Sequence, residues 1–368
     1  MNRINGIKRI LFFTTYPKLA AAPRIRVYYY LPFLAELGIQ YRVINIIPSW
    51  IYPLSLSGNP WRKVLFYLYA SIARFVKILQ VILIAPRYDI IYIRGVYFPL
   101  RLEKILSLTN PNIVFDLVDA VYLRGNMTKL FSEKVKLAFY NQSILLPRML
   151  SIARAVNIHT PYLKKYVKKY CSSIWITPGP IQLHKCKSHL PKKPHEIVIG
   201  WMGSPSTAKY LYDLTEVIRE LQQRYSVMSK IIGAGHAYSP PLGLNIIKED
   251  WNLEKEIDQL YSFDVGIMPL RETLWERGKG GFKLLNYMSV GLPVVASPIG
   301  INKQLIQDSV NGFFATSQDE WIKKLSLLIE NFMLRKKLGM QGWKTVQQYT
   351  AEAQFAKIKA ILEMAIKD

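Results

Sequence analysis

The chain has 368 residues, more than one hydrophobic core usually serves, so two domains of ordinary size are expected. Half of the residues are hydrophobic and 12% are aromatic, which excludes a disordered or fibrous protein. The formal net charge is +24 and is unevenly placed: residues 1–190 hold 27 Lys and Arg against 6 Asp and Glu, while residues 191–368 hold 22 against 19.

A basic first half calls for polyanionic partners: nucleic acid, an anionic lipid surface or a phosphorylated substrate. The modular signatures of nucleic-acid readers are missing, so no nucleic-acid partner is expected. Cys171 and Cys186 belong to no CxxC pair. They fit a reducing, cytoplasmic setting rather than a disulfide framework, and no metal site is expected. Ile10–Phe13 is too short for the apolar region of a signal peptide, so none is expected.

Lys8–Thr14 leads into a buried strand, and a loop with two prolines follows. Arg24–Leu37 reads as a helix that Pro32 should kink or start late, and Gly38 ends it. Tyr41–Ile47 is the next strand. Strand, loop, helix and strand at this spacing are the βαβ signal of a doubly wound sheet. Ligands of such sheets gather at the carboxyl ends of the strands. Arg24 and Arg26 lie near that edge, either holding an acceptor phosphate or forming a solvated helix start.

Trp61–Ala85 carries Arg62, Lys63, Arg74 and Lys77 among aliphatic and aromatic residues. Its charge-free runs are short for the ~20 residues a spanning helix needs. It reads as an interfacial helix or as a packed core helix. A second basic amphipathic stretch, Lys129–Arg154, adds to the membrane-surface reading. Asp89–Arg94 is another buried strand, and Asn112–Leu117 another, ending in Asp116 and Asp119. These two carboxylates are candidates for orienting an acceptor hydroxyl or taking its proton, or else for pairing with Arg. Arg94 joins them on the acceptor side. Ala155–His159 reads as a further strand and Tyr162–Tyr170 as a basic helix. The polar, proline-bearing stretch Gln182–Pro194 marks the domain boundary. It gives a basic domain over 1–190, a second over 191–345 and a terminal helix over 346–368.

The second half opens with the strand Glu196–Trp201 and the small-residue turn Gly203–Thr207, then a helix over Ala208–Arg224. Ser204, Ser206 and Thr207 are candidates for phosphate oxygens, or Ser206 and Thr207 for caps. Lys209 reads as a cation in a first helical turn, against the helix dipole. Asp264–Leu270 is a buried strand, and a polar loop over Arg271–Arg277 follows. Next come Gly278, Lys279, Gly280 and Gly281, and a helix from Phe282 to Val290 with Gly291 as its stop. A glycine turn opening a helix offers free backbone N–H groups to a di-anion. Lys279 and Lys283, four residues apart, are expected on one helical face beside it. Val294–Ser297 is the next strand, and three helices close the chain.

DVGIMPL at Asp264–Leu270, WERGKGGFKLLNYMSVGLPVVASPIG at 275–300 and NGF at Asn311–Phe313 together resemble the family 4 glycosyltransferases. Gly200–Thr207 and, more loosely, Asp116–Ala120 add to the likeness. The resemblance implies a GT-B fold, α/β, with two Rossmann-like βα domains facing a central cleft. It implies a retaining transferase, independent of metal and cofactor, moving a sugar from a nucleotide-sugar donor. By the resemblance, Gly203, Ser204, Ser206 and Lys209 would meet the donor phosphates. So would Gly278, Lys279, Gly280, Gly281, Phe282 and Lys283. The chain departs from the family at a pair of glutamates eight positions apart, where Gly278 and Asn286 stand. Glu276 is the nearest carboxylate, and Asn286 is expected to bond a ribose hydroxyl. Asp119 and Glu276 are therefore the catalytic candidates. With the basic first half, the acceptor is expected to be a lipid-linked or cell-surface glycan at the cytoplasmic face of the membrane. The alternative is a non-catalytic scaffold that binds donor or lipid.

Overall fold

The computed structural model describes residues 6–123, 142–187 and 196–366. The chain divides into two compact units. Unit 1 comprises Met1–Pro180, Gly278–Gly280 and Ala351–Asp368; unit 2 comprises Ile181–Arg277 and Gly281–Thr350.

Unit 1 is built on β1 (Arg9–Thr14), β2 (Gln40–Asn45), β3 (Ile90–Arg94), β4 (Ile113–Leu117), β5 (Ala155–Ile158) and β6 (Ile174–Ile176). All pairs are parallel, in the order β2-β1-β3-β4-β5-β6. The central strands are apolar on both faces because helices cover both. One face is closed by the terminal helix Ala351–Ile366, whose Phe355, Ile358, Ile361 and Leu362 join Ile10, Phe12, Tyr92 and Val114 in one core.

The expected first helix is broken into pieces. Tyr29 N donates to Arg24 O, a wide turn, and a new helix runs over Leu31–Glu36. Pro32 lies in its first turn, where a missing N–H costs nothing. The basic helix expected at Tyr162–Tyr170 is a single helical turn, Lys164–Val167, preceded by a tight turn at Pro161. Helix Pro60–Ile84 is continuous over 25 residues and capped by the Asn59 side chain on Trp61 N. Of the stretch Lys129–Arg154, residues 129–141 lie outside the described residues; Gln142–Ile152 is a helix.

Unit 2 is built on β7 (Ile197–Met202), β8 (Val227–Ile232), β9 (Ile246–Glu249), β10 (Val265–Met268), β11 (Val294–Ala296) and β12 (Phe313–Phe314). The sheet is again all parallel, in the order β12-β11-β10-β7-β8-β9. The strand order reverses between β7 and β10, the switch point at which a doubly wound sheet opens a crevice beyond its carboxyl ends. Helix Gln318–Glu330 carries a full capping box, Ser317 with Glu320, and helix Phe332–Val346 starts on an Asn331 cap.

Candidate functional site

In unit 2 the carboxyl end of β7 delivers Trp201, Met202 and Gly203 to the switch point. Helix Phe282–Ser289 points its start at the same place, because Lys283 reaches back to this turn. Its Nζ lies 2.8 Å from Thr207 Oγ1 and 4.2 Å from the centre of the buried Trp201 ring. An ammonium over an indole face with a hydroxyl beside it is held in place. Ser204 and Ser206 hydroxyls, 3.0 Å apart, stand exposed in the same turn. Deeper in, Met202 N donates to the buried Tyr287 hydroxyl at 2.8 Å, which ties the helix to the strand. Burial holds that phenol above its ordinary value, so it stays protonated.

Gly281 opens the helix in the left-handed conformation, φ 64°. A Cβ there would also approach Leu305 Cδ1 to 2.6 Å, so the position needs glycine. This turn corrects one expectation. Lys279 precedes the left-handed residue and is outside the helix, so Lys279 and Lys283 share no helical face. The division of the chain runs through the turn, with Gly278, Lys279 and Gly280 grouped with unit 1 and Gly281, Phe282 and Lys283 with unit 2. Asn286 lies one turn further along the helix, half-buried, and Phe282 packs on the apolar core.

Lys209 also departs from expectation. Helical structure begins at Pro205 rather than Ala208 and runs as an α-turn over Pro205–Ala208, a 3-10 stretch over Lys209–Leu214 and an α-helix over Thr215–Arg224, so Lys209 lies in the second turn and not the first. It is exposed and lies 5.1 Å from the Tyr210 ring centre. Glu276 is buried in the short helix Leu274–Arg277 within the expected polar loop. Its carboxylate accepts from the Tyr210 and Thr273 hydroxyls. Burial and the Glu276 carboxylate push the Tyr210 phenol well up.

In unit 1 the candidates Arg26, Arg94 and Asp116 meet in one buried network. Asp116 accepts from Arg26 Nη2 at 2.6 Å, Arg26 Nε at 2.9 Å, Tyr92 Oη at 2.8 Å and Asn157 Nδ2 at 3.1 Å. Arg94 Nε stands 3.2 Å from its other oxygen. A carboxylate with this many donors is fixed and fully engaged. Arg26 is spent on Asp116 and on the Thr177 carbonyl, and its guanidinium is held charged against burial by Asp116. Arg24 is buried too and contacts the Leu19 carbonyl at 3.4 Å. Asp119, three residues past Asp116, is half-buried at the end of β4.

Sequence reasoning passed over His159, at the end of β5. It is buried, and neither ring nitrogen has a partner. Burial, then Arg26 and Arg94, press its pKa well below 6.5, so the ring is neutral. Thr160 Oγ1, Thr177 Oγ1 and Asn157 Oδ1 are buried without partners as well. Gly280 lies directly against the imidazole and leaves no room there for a Cβ. Trp201 under Lys283 and Tyr210 beside Glu276 were passed over too, since each alone reads as core. Among the described residues no group of three His, Cys, Asp or Glu side chains is placed to hold a metal ion.

Two parallel six-stranded sheets of this topology define the GT-B type of fold, with Rossmann-like βα units. Residues 196–331, in unit 2 apart from Gly278–Gly280, match the family described as Glycosyl transferases group 1. The chain is similar over its length to HepE from Anabaena, solved with UDP and glucose. The TM-score is 0.63 at 14% identity, covering 96% of this chain and 98% of that one. It is similar to a glycosyltransferase from Rickettsia africae, TM-score 0.67 at 13% identity, covering 99% and 100%. Against S. aureus TarM, solved with UDP and α-GlcNAc-glycerol, the TM-score is 0.55 at 16% identity, covering 74% and 55%. None of the curated proteins compared by sequence matches the chain.

Proposed function

We propose that the chain is a glycosyltransferase that takes a sugar from a nucleotide-sugar donor and passes it, with retention, to a lipid-linked or cell-surface glycan. One observation carries this reading: Lys283, Thr207 and the Ser204–Ser206 turn converge at the sheet's switch point, inside the segment that matches group 1 glycosyl transferases. HepE, solved with UDP and glucose, supports a nucleoside diphosphate there.

In this mechanism Lys283, the two serine hydroxyls and the N–H groups opening helix Phe282–Ser289 meet the charge that grows on the leaving diphosphate. These groups make transfer independent of metal. Asp119, half-exposed, orients or deprotonates the acceptor hydroxyl, while Asp116 holds Arg26 and Arg94 in position. Asn286 takes a ribose hydroxyl. The acceptor side works at an anionic, cytoplasmic membrane face, which the basic residues 1–190 favour.

A second reading is a scaffold that binds donor without transfer. It is favoured by Asn286 in place of glutamate and by Glu276 being engaged with Tyr210 and Thr273. The test is a panel of nucleotide-sugars, scored by calorimetric binding and by nucleotide release, with product configuration read by NMR. Release with a retained anomer supports the enzyme. Tight binding without release supports the scaffold, and no binding to any donor overturns both.

A further inference from the structure

Helix Pro60–Ile84 turns one face to solvent along its whole length. Trp61, Leu65, Leu68, Ile72, Val76 and Leu83 are all exposed, with Trp61 at 78% and Leu83 at 77%. At 3.6 residues per turn these six fall within an arc of about 80°, and they run ~33 Å along the axis. No charged side chain interrupts that arc. An apolar strip of this size is more than a soluble surface normally leaves uncovered.

The opposite side is docked. Phe66 near one end and Ile78, Val81 and Ile82 near the other are buried, and the helix packs on Tyr52–Leu56 and Leu102–Thr109. With the turn through Arg87 it is long and apolar enough to cross a bilayer, and 22% of its most apolar part is buried. Crossing would pull Phe66 and Val81 out of unit 1 together. Lying flat leaves both in place.

Charge selects the occupant. Between Glu36 and Asp89 there is no acidic residue, and there are six cations: Arg42, Arg62, Lys63, Arg74, Lys77 and Arg87. A second copy laid against this face would bring cations to cations with no acid to answer them. An anionic lipid surface attracts the exposed ones, Arg42, Arg62, Lys63 and Arg87, and takes the apolar strip as well. Trp61, and the exposed Trp50 whose ring meets Tyr69 of the helix at 5.7 Å, suit the headgroup level.

We propose that helix Pro60–Ile84 seats unit 1 flat in the surface of an anionic bilayer, its Trp61–Leu83 face in the acyl boundary. This deepens the membrane side of the proposed function and rests on that reading only for the acceptor's location. The test is flotation of the full chain with vesicles of phosphatidylcholine and phosphatidylglycerol, against phosphatidylcholine alone. Recovery with the anionic vesicles is expected, with release by alkaline carbonate. The double variant Leu68→Glu, Ile72→Glu should lose recovery at least tenfold while binding nucleotide-sugar as the parent does. If that variant fails to fold, Leu65→Ser with Leu83→Ser takes its place. Unchanged flotation of a folded variant overturns the proposal, and resistance to carbonate overturns the flat orientation. A parent that dimerises by sedimentation and ignores vesicles puts a second copy on the face instead. Donor binding lost with flotation intact would strike the proposed function and leave this inference standing.

Discussion

Lys283 fills the space that any side chain at position 203 would need. A Cβ on Gly203 would stand 2.6 Å from Lys283 Nζ and 2.6 Å from the Trp201 ring. Real Cβ atoms do not approach so closely, so Gly203→Ala must displace the ammonium from its seat over the indole. The expected outcome is a donor Kd raised about tenfold, which corresponds to ~1.4 kcal/mol. Thermal unfolding should also drop by several degrees, because the buried Trp201 ring cannot yield as the Lys283 chain can. Calorimetric titration beside a melt separates the two effects.

Lys283→Met keeps most of the stem on Trp201 and removes the charge. A charge-assisted hydrogen bond contributes about 1.5–3 kcal/mol, so donor affinity should fall by roughly one to two orders of magnitude. Stability should stay near the parent's, because Thr207 Oγ1 retains the Ser204 carbonyl at 3.1 Å. Added salt should weaken the parent's binding more than the variant's.

Asp116→Asn is expected to act on the fold. It leaves Arg26 and Arg94 without their counter-charge in a buried network, which typically costs about 3–5 kcal/mol. Urea unfolding should show a much lower midpoint. A variant as stable as the parent but inactive would instead make Asp116 a substrate contact. Asp119→Asn, by contrast, should lower kcat with little change in stability.

His159 predicts an acid sensitivity. Its folded pKa lies well below 6.5 because burial and two guanidinium groups oppose its charge. The unfolded ring binds a proton near 6.5, and the folded ring does not. Stability is therefore full above that value and falls as pH drops through it, by up to about 1.4 kcal/mol per pH unit. His159→Gln should remove that slope below pH ~6.5 while leaving the other histidines' contributions in place. Urea titrations at a series of pH values would show it.

What the sequence makes legible here is local. The strand Val265–Met268, the helix Phe282–Ser289 and its Gly291 stop follow from apolar runs and glycine punctuation. Lys283 was found on that basis. Its partners were not, because Thr207 lies 76 residues upstream and the two meet only through the parallel pairing of β7 with β10. No period within a window encodes a strand-order reversal. Lys279 misled for the opposite reason: a four-residue spacing looks helical until Gly281 takes a positive φ and resets the chain. Asp116 was legible as a carboxylate at a strand end, but its saturation by Arg26, Tyr92 and Asn157 comes from three other elements. His159 carried no motif at all, and only its unpartnered nitrogens mark it.

The terminal helix Ala351–Ile366 has a consequence for how the chain is made. Ile10 and Phe12 leave the ribosome before unit 2, yet Ile358 and Ile361, which pack on the same core, emerge only after the whole of unit 2. Unit 2 can mature on the ribosome as nearly one continuous run. Unit 1 waits with an uncovered apolar sheet face while the whole of unit 2 is translated, so a product stalled within unit 2 would present that face to chaperones and proteases.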